Sequence, residues 1–186
     1  MNRVRINHVA GLLVLLLALT GCSTVDVKRY AGSSLELDLY SYFAGETRGW
    51  GMVQDRRGRV LRQFVVDITG TVNDAGELVL DEQFTWSDGE RSERIWTIGR
   101  SAGQRYSGRA ADVIGMAAGR SHGNALNWRY LLELEARGST WTVRFDDWMF
   151  LQEDHLLLNR ATMSKFGFRL AEVTIAFAKP AAVAQE

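Results

Sequence analysis

From Leu35 onward, apolar and polar residues alternate with a period of two, run after run. In "LELDLYSYF" the apolar set is Leu35, Leu37, Leu39 and Phe43. In "RVLRQFVVDITGTV" it is Val60, Phe64, Val66, Ile68 and Val72, and in "ELVLDEQFTW" it is Leu78, Leu80, Phe84 and Trp86. "WRYLLELEA" contributes Trp128, Tyr130, Leu132 and Leu134. "WTVRFDDWMFL" contributes Trp141, Val143, Phe145, Met149 and Leu151, and "EVTIAFAK" contributes Val173, Ile175 and Phe177. A period of two sends alternate side chains to opposite faces, so each run predicts a strand with one buried face.

Turn signals separate the runs: Arg57-Gly58, Asn73-Asp74-Ala75-Gly76, Asp88-Gly89, Ala102-Gly103, His122-Gly123-Asn124 and Arg137-Gly138. Asp, Asn and Gly supply the positive φ of tight hairpins. Their spacing leaves little room for crossover helices, so the strands should form an antiparallel meander. About eight to ten strands are expected, closing into an all-β barrel that removes exposed edges. "AADVIGMAAGR" is the one stretch compatible with a helix, although Gly115 and Gly119 favour a bent strand of small residues. The opposite faces carry Glu36, Asp38, Gln63, Asp67, Arg129, Glu133 and Arg144. The apolar set therefore belongs inside, the reverse of a transmembrane barrel.

The chain start changes the picture. Arg3 and Arg5 precede an apolar stretch, Val9 to Leu19, and no acid occurs before Asp26. That is the pattern of a secretory signal. Leu19-Thr20-Gly21-Cys22 fits a bacterial lipobox, which predicts lipidation of Cys22, the single cysteine. A lone exposed thiol in an oxidising compartment has no partner to pair with, whereas acylation by two or three chains gives durable membrane attachment. Ser23 in place of Asp directs the expectation to the outer membrane of a Gram-negative bacterium, on its periplasmic face. The expected organisation is a signal over residues 1–21, a lipid-anchored tether over 22–34, one barrel domain over 35–179 and a frayed tail over 180–186.

Charge and motifs exclude several classes. Without Arg3 and Arg5, 20 of the 22 Lys and Arg face 22 Asp and Glu, a net charge of −2. No basic patch points to nucleic acid. His122 and His155 with no thiol offer no zinc set, so no metal is expected. No phosphate loop, HExxH or nucleophile elbow is present, so no catalytic residue and no cofactor is assigned. His122 reads as a turn residue, His155 as a hairpin corner, and "KFGF" at 165–168 as a turn with flanking aromatics.

Four charges stand on apolar faces. Glu82 is in register with Leu80 and Phe84, Asp147 with Phe145 and Met149, and Arg62 with Val60 and Phe64. Arg160 shares a face with Leu156 and Leu158. A buried charge must pair, meet water or meet a ligand. One reading is a ligand cavity in which an interior Arg forks onto the carboxylate or phosphate of a lipid while apolar walls hold its tail. The others are a structural ion pair, a charge at the barrel mouth, or a bulge that flips the register.

"DDWMFLQEDHLLLNRATMSKFGFRLAEVTIAF", with "GWGMVQDRRGRVLRQF" and "GNALNWRY", resembles a bacterial domain-of-unknown-function family of lipoproteins over nearly the whole chain after the signal. That resemblance implies an envelope lipoprotein and carries over no activity. The architecture also resembles the lipocalin-like calycin barrels, although the G-x-W signature is absent, since Gly49 and Trp50 are adjacent. The leading expectation is a non-enzymatic, lipid-anchored envelope protein that binds or shuttles an apolar or lipid-like ligand, with Arg62, Glu82, Asp147 and Arg160 as ligand-binding candidates. The alternative is a structural or interaction module with an envelope protein partner and no cavity. A further alternative is an enzyme using Asp147 or Glu82 as acid and base.

Overall fold

The structure, a computed structural model, describes residues 25–136 and 138–180. The expected signal, Cys22, Ser23 and all of the expected tail but Pro180 lie outside the described residues. Ten strands run in sequence: β1 Gly45–Asp55, β2 Val60–Val72, β3 Leu78–Trp86, β4 Arg91–Ser101, β5 Arg105–Arg109, β6 Val113–His122, β7 Ala125–Ala136, β8 Ser139–Glu153, β9 Leu156–Lys165 and β10 Phe168–Ala178. Each pairs antiparallel with its neighbour, and β1 pairs with β10, so the meander closes into a barrel with no free edge. The hairpin turns fall where Gly58, Gly76, Gly89, Gly103, Gly123 and Gly138 take positive φ.

The alternation reads correctly along the long strands. Leu78, Leu80, Glu82, Phe84 and Trp86 share the inward face of β3, and Val143, Phe145, Asp147, Met149 and Leu151 share that of β8. β6 is the bent strand: its register slips between Ile114 and Ala118, at Gly115, whose φ is +71°.

The first expected strand, "LELDLYSYF", is instead a five-residue helix, α1, Leu39–Phe43. Asp38 caps it, accepting from Ser41 N–H at 2.9 Å. Leu39, Tyr42 and Phe43 are all buried, and three- and four-residue spacing marks one helix face. α1 plugs one end of the barrel. Its Tyr40 hydroxyl donates to Ile98 O at 2.7 Å, and its Tyr42 hydroxyl donates to Phe177 O at 3.0 Å. Before it, a 3-10 turn at Val27–Tyr30 packs onto β6 and β7 with Val27 buried.

The true first strand hides its period because its inward row is Thr47, Gly49 and Gly51. A Cβ at Gly51 would lie 2.2 Å from Phe64 Cζ, and one at Gly49 would lie 2.8 Å from Phe177 Cδ1. Aromatic rings from neighbouring strands lie on that bare backbone and supply the apolar layer that β1 lacks.

Candidate functional site

The barrel is packed unevenly along its axis. At the α1 end the inward side chains Leu78, Leu80, Ile98, Tyr106, Leu126 and Leu157 are buried. Toward the other end, where no helix among the described residues covers the strands, the covering is mixed: Val53, Phe84, Trp86, Phe145, Met163 and Val173 face inward and are only half-buried, while Leu132, Val143 and Ala171 are buried. The less covered part of the interior, around Phe84, Trp86 and Phe145, forms a cup above the filled base.

A polar layer crosses the barrel where filling ends. Glu82 on β3 stands directly opposite Arg94 on β4. Arg94 grips Asp112, which precedes β6, with Nε at 3.1 Å and Nη2 at 2.5 Å from the same Oδ2. Tyr130 on β7 stacks on Phe145 at 5.0 Å and meets Trp96 edge-on at 5.3 Å. Asp147 on β8 is 7% exposed, and Asn159 on β9 is 4% exposed. Glu82 is hemmed in by protein yet keeps some open surface, as a side chain facing an internal space does.

Burial dominates the electrostatics. It pushes the Glu82 carboxyl up to about 7, with Arg94 opposing and Asp112 adding to the rise. It pushes Asp147 up to about 8; the negative charge of Asp146 adds, while Arg94 and the Asn159 amide oppose. The Tyr130 hydroxyl is held well above its ordinary value by burial and then by Asp147. Burial works against the Arg94 charge, but Glu82, Tyr130 and Asp112 outweigh it and raise its pKa. Three acids thus share one guanidinium in a low-dielectric layer. Among the described residues no three His, Cys, Asp or Glu side chains converge to hold a metal ion.

The four candidates separate. Glu82 and Asp147 both face the cup. Arg62 also faces inward, but at the open rim, where Nη2 donates to Asp88 at 2.8 Å and Glu90 at 2.9 Å and the guanidinium lies 4.1 Å over Trp86. Arg160 corrects the expectation of an interior charge. Its side chain is 65% exposed on the outer wall and pairs with Glu172 at 2.7 Å. Leu156 and Leu158 do share its face, but that face is outward; Leu157, Asn159 and Ala161 point in. Neither arginine is thus a free interior cation.

Sequence reasoning missed Arg94, Asp112 and Asn159. Arg94 carried a usable signal, because it alternates with Trp96 and Ile98. Asn159 could be placed only through its pairing with Met149. Asp112 sits in a turn, and no period marks it.

Above the polar layer, Phe64, Phe84 and Trp86 form an aromatic group with centroids 4.9–6.0 Å apart. Trp86 Nε1 donates to Ser92 Oγ at 2.9 Å, which holds its ring against the wall. A separate depression of about 520 Å³ lies on the outer surface around Arg48, Trp50 and Asp67, away from these groups.

Two solved structures resemble this barrel. An S-type phycobiliprotein lyase, CPES, from Guillardia theta matches with a TM-score of 0.60 at 6% identity, over 85% of this chain and 99% of that one. A protein of unknown function from the DUF3598 family of Nostoc punctiforme matches with a TM-score of 0.57 at 15% identity, over 78% of this chain and 50% of that one. At such identities the likeness is one of fold, a lipocalin-like antiparallel barrel. No curated protein matches the chain in sequence. The sequence model of one family matches residues 16–179, and the chain belongs to that family, described as a protein of unknown function, DUF3833.

Proposed function

We propose that this protein is an envelope lipoprotein that holds an apolar-bodied ligand inside its barrel. The cup carries the reading: inward aromatic and aliphatic side chains that are only half-buried, over a polar floor. A closed barrel with a filled base and a less covered upper half suits a small-molecule site, since apolar walls hold the body and a few polar groups orient it. Glu82 and Asp147 are the floor groups that would meet the ligand, and Arg62 with Trp86 stands at the entrance. The lipobox at Cys22 supports attachment to a membrane, and Ser23 supports the periplasmic face of the outer membrane.

Native mass spectrometry of the full-length protein extracted from its own membranes tests both parts. The expected result is a diacylglycerol-modified chain beginning at Cys22, with a small molecule released on denaturation. A chain that carries no co-purifying molecule and takes up no apolar probe would overturn the binding role. An unmodified Cys22 would overturn the anchor.

A further inference from the structure

Three buried oxygen atoms around the cup floor have no hydrogen-bond partner: Asp112 Oδ1, Asp147 Oδ1 and Asn159 Oδ1. The amide oxygen accepts, and the two carboxyl oxygens accept once their groups are ionised. The nitrogen atoms left without a partner lie elsewhere among the described residues. Arg62 Nε is at the rim, and Arg120 Nε and His122 Nε2 belong to the outward row of β6. Ser121 Oγ lies deeper, opposite Leu126 in the filled half. A buried acceptor without a donor is unfavourable, and here three of them come from three separate stretches of chain.

Charge points the same way. Glu82, Asp112 and Asp147 face Arg94 alone, and Arg94 is already held by Asp112. A carboxylate or phosphate entering this layer would meet no free cation, and it would meet a growing negative charge as Glu82 and Asp147 ionise. A donor would find acceptors, and a cation would also balance the charge.

Resting on the cup reading above, we propose that the ligand carries a nitrogen donor head, most simply a protonated amine, which the cup floor binds through Asp147, Asn159 and Asp112 while its apolar body lies along Phe64, Phe84 and Trp86. The head is a hydrogen-bond donor without acceptor character.

Octylamine, octanoate and octanol separate the possibilities, since they share one chain and differ in the head. Each is titrated against the full chain in phosphatidylcholine nanodiscs, with empty nanodiscs as the blank and tryptophan fluorescence as the readout. Octylamine is expected to bind about tenfold or more tighter than octanoate, an effect the size of one favourable charge contact. Raising the pH from about 6 to about 9 should widen that preference. Asp147 and Glu82 ionise there, whereas Arg94 and the amine keep their charges. Asp147→Asn should reduce the preference for octylamine over octanoate. Glu82→Gln provides the same comparison if Asp147→Asn does not fold.

Octanoate binding as tightly as octylamine, or an amine preference that ignores both substitutions, overturns the donor head and leaves the cup reading standing if octanol still binds. Octanol alone binding means that water satisfies the three oxygens, which also overturns it. If none of the three probes binds, the cup reading itself fails.

Discussion

Glu82 and Asp147 point into the same interior from strands β3 and β8, which stand on opposite sides of the ten-stranded ring. Neither has a cation of its own, because Arg94 is bonded to Asp112. Both carboxyls are therefore easier to protonate in the folded barrel than in the unfolded chain.

That difference fixes the sign of a pH effect. Two groups with raised folded pKa values bind more protons in the folded state, so stability falls as pH rises. The window opens near the ordinary carboxylate values and runs through about 7 for Glu82 and about 8 for Asp147. Urea midpoints should drop steadily between pH 5 and pH 9, and the slope should be shallower in Asp147→Asn, whose side chain does not titrate. A wild-type midpoint that rises over this range would place both carboxyls in a wetter or better-paired setting.

Arg94 and Arg160 offer a contrast between an inner and an outer ion pair. Arg94→Ala leaves Glu82, Asp112 and Asp147 without a counter-charge and should cost about 2–4 kcal/mol, somewhat below a fully buried pair because the Arg94 side chain is 28% exposed. Arg160→Ala removes a surface contact to Glu172 and should cost under about 1 kcal/mol. Denaturant unfolding at neutral pH measures both. Equal costs would mean that the polar layer is as hydrated as the outer wall.

Gly51 marks a close approach between backbone and ring. Gly51→Ala drives a methyl group into Phe64, 2.2 Å away, and should cost about 1–3 kcal/mol as the ring is displaced. At Gly99 the nearest atom to an added Cβ is Ser107 Oγ at 3.6 Å, so Gly99→Ala should stay within about 0.5 kcal/mol of wild type. Thermal unfolding of the two variants side by side checks the contrast. A tolerated Gly51→Ala would show that Phe64 does not lie on β1.

Asp38 ties the plug to the barrel. It caps α1 through Ser41 N–H, and its Oδ2 accepts from Arg100 Nη1 at 3.0 Å and from Tyr106 Oη at 3.1 Å. Burial opposes its charge, but these hydrogen bonds prevail and hold its pKa below the ordinary value of 3.8. Its stabilisation is thus present above that value and lost as pH falls through the lower, folded one. Asp38→Ala should cost about 1–2 kcal/mol near neutrality. The deficit should shrink as pH falls below about 4, read from urea midpoints of both proteins. A deficit that stays constant into acid would mean that the Asp38 charge contributes nothing.

Much of the barrel was legible in the chain. Turn chemistry placed the hairpins, because positive φ restricts those positions to a few residue types. Alternation put Glu82 and Asp147 on the inner face, because parity along an extended strand is a local property and the apolar neighbours Leu80, Phe84, Phe145 and Met149 declare it. The local signal failed where another element supplies what a strand lacks. β1 shows Thr47, Gly49 and Gly51 inward before its first apolar inward residue, Val53, and there its apolar layer is borrowed from Phe64 and Phe177. "LELDLYSYF" satisfies a period of two and also a helical face, and the cap at Asp38 and the open barrel end it plugs decide between them. Arg160 turned outward because directly paired residues share a face. Asp147 lies opposite Ala161 and Met149 opposite Asn159, so the parity of β8 imposes that of β9 against the pull of Leu156 and Leu158. The polar layer itself is a tertiary product. Glu82, Arg94, Asp112, Asp147 and Asn159 are spread over nearly eighty positions, and only closure of the ring brings them to one depth, where shared burial rather than sequence proximity sets their charges.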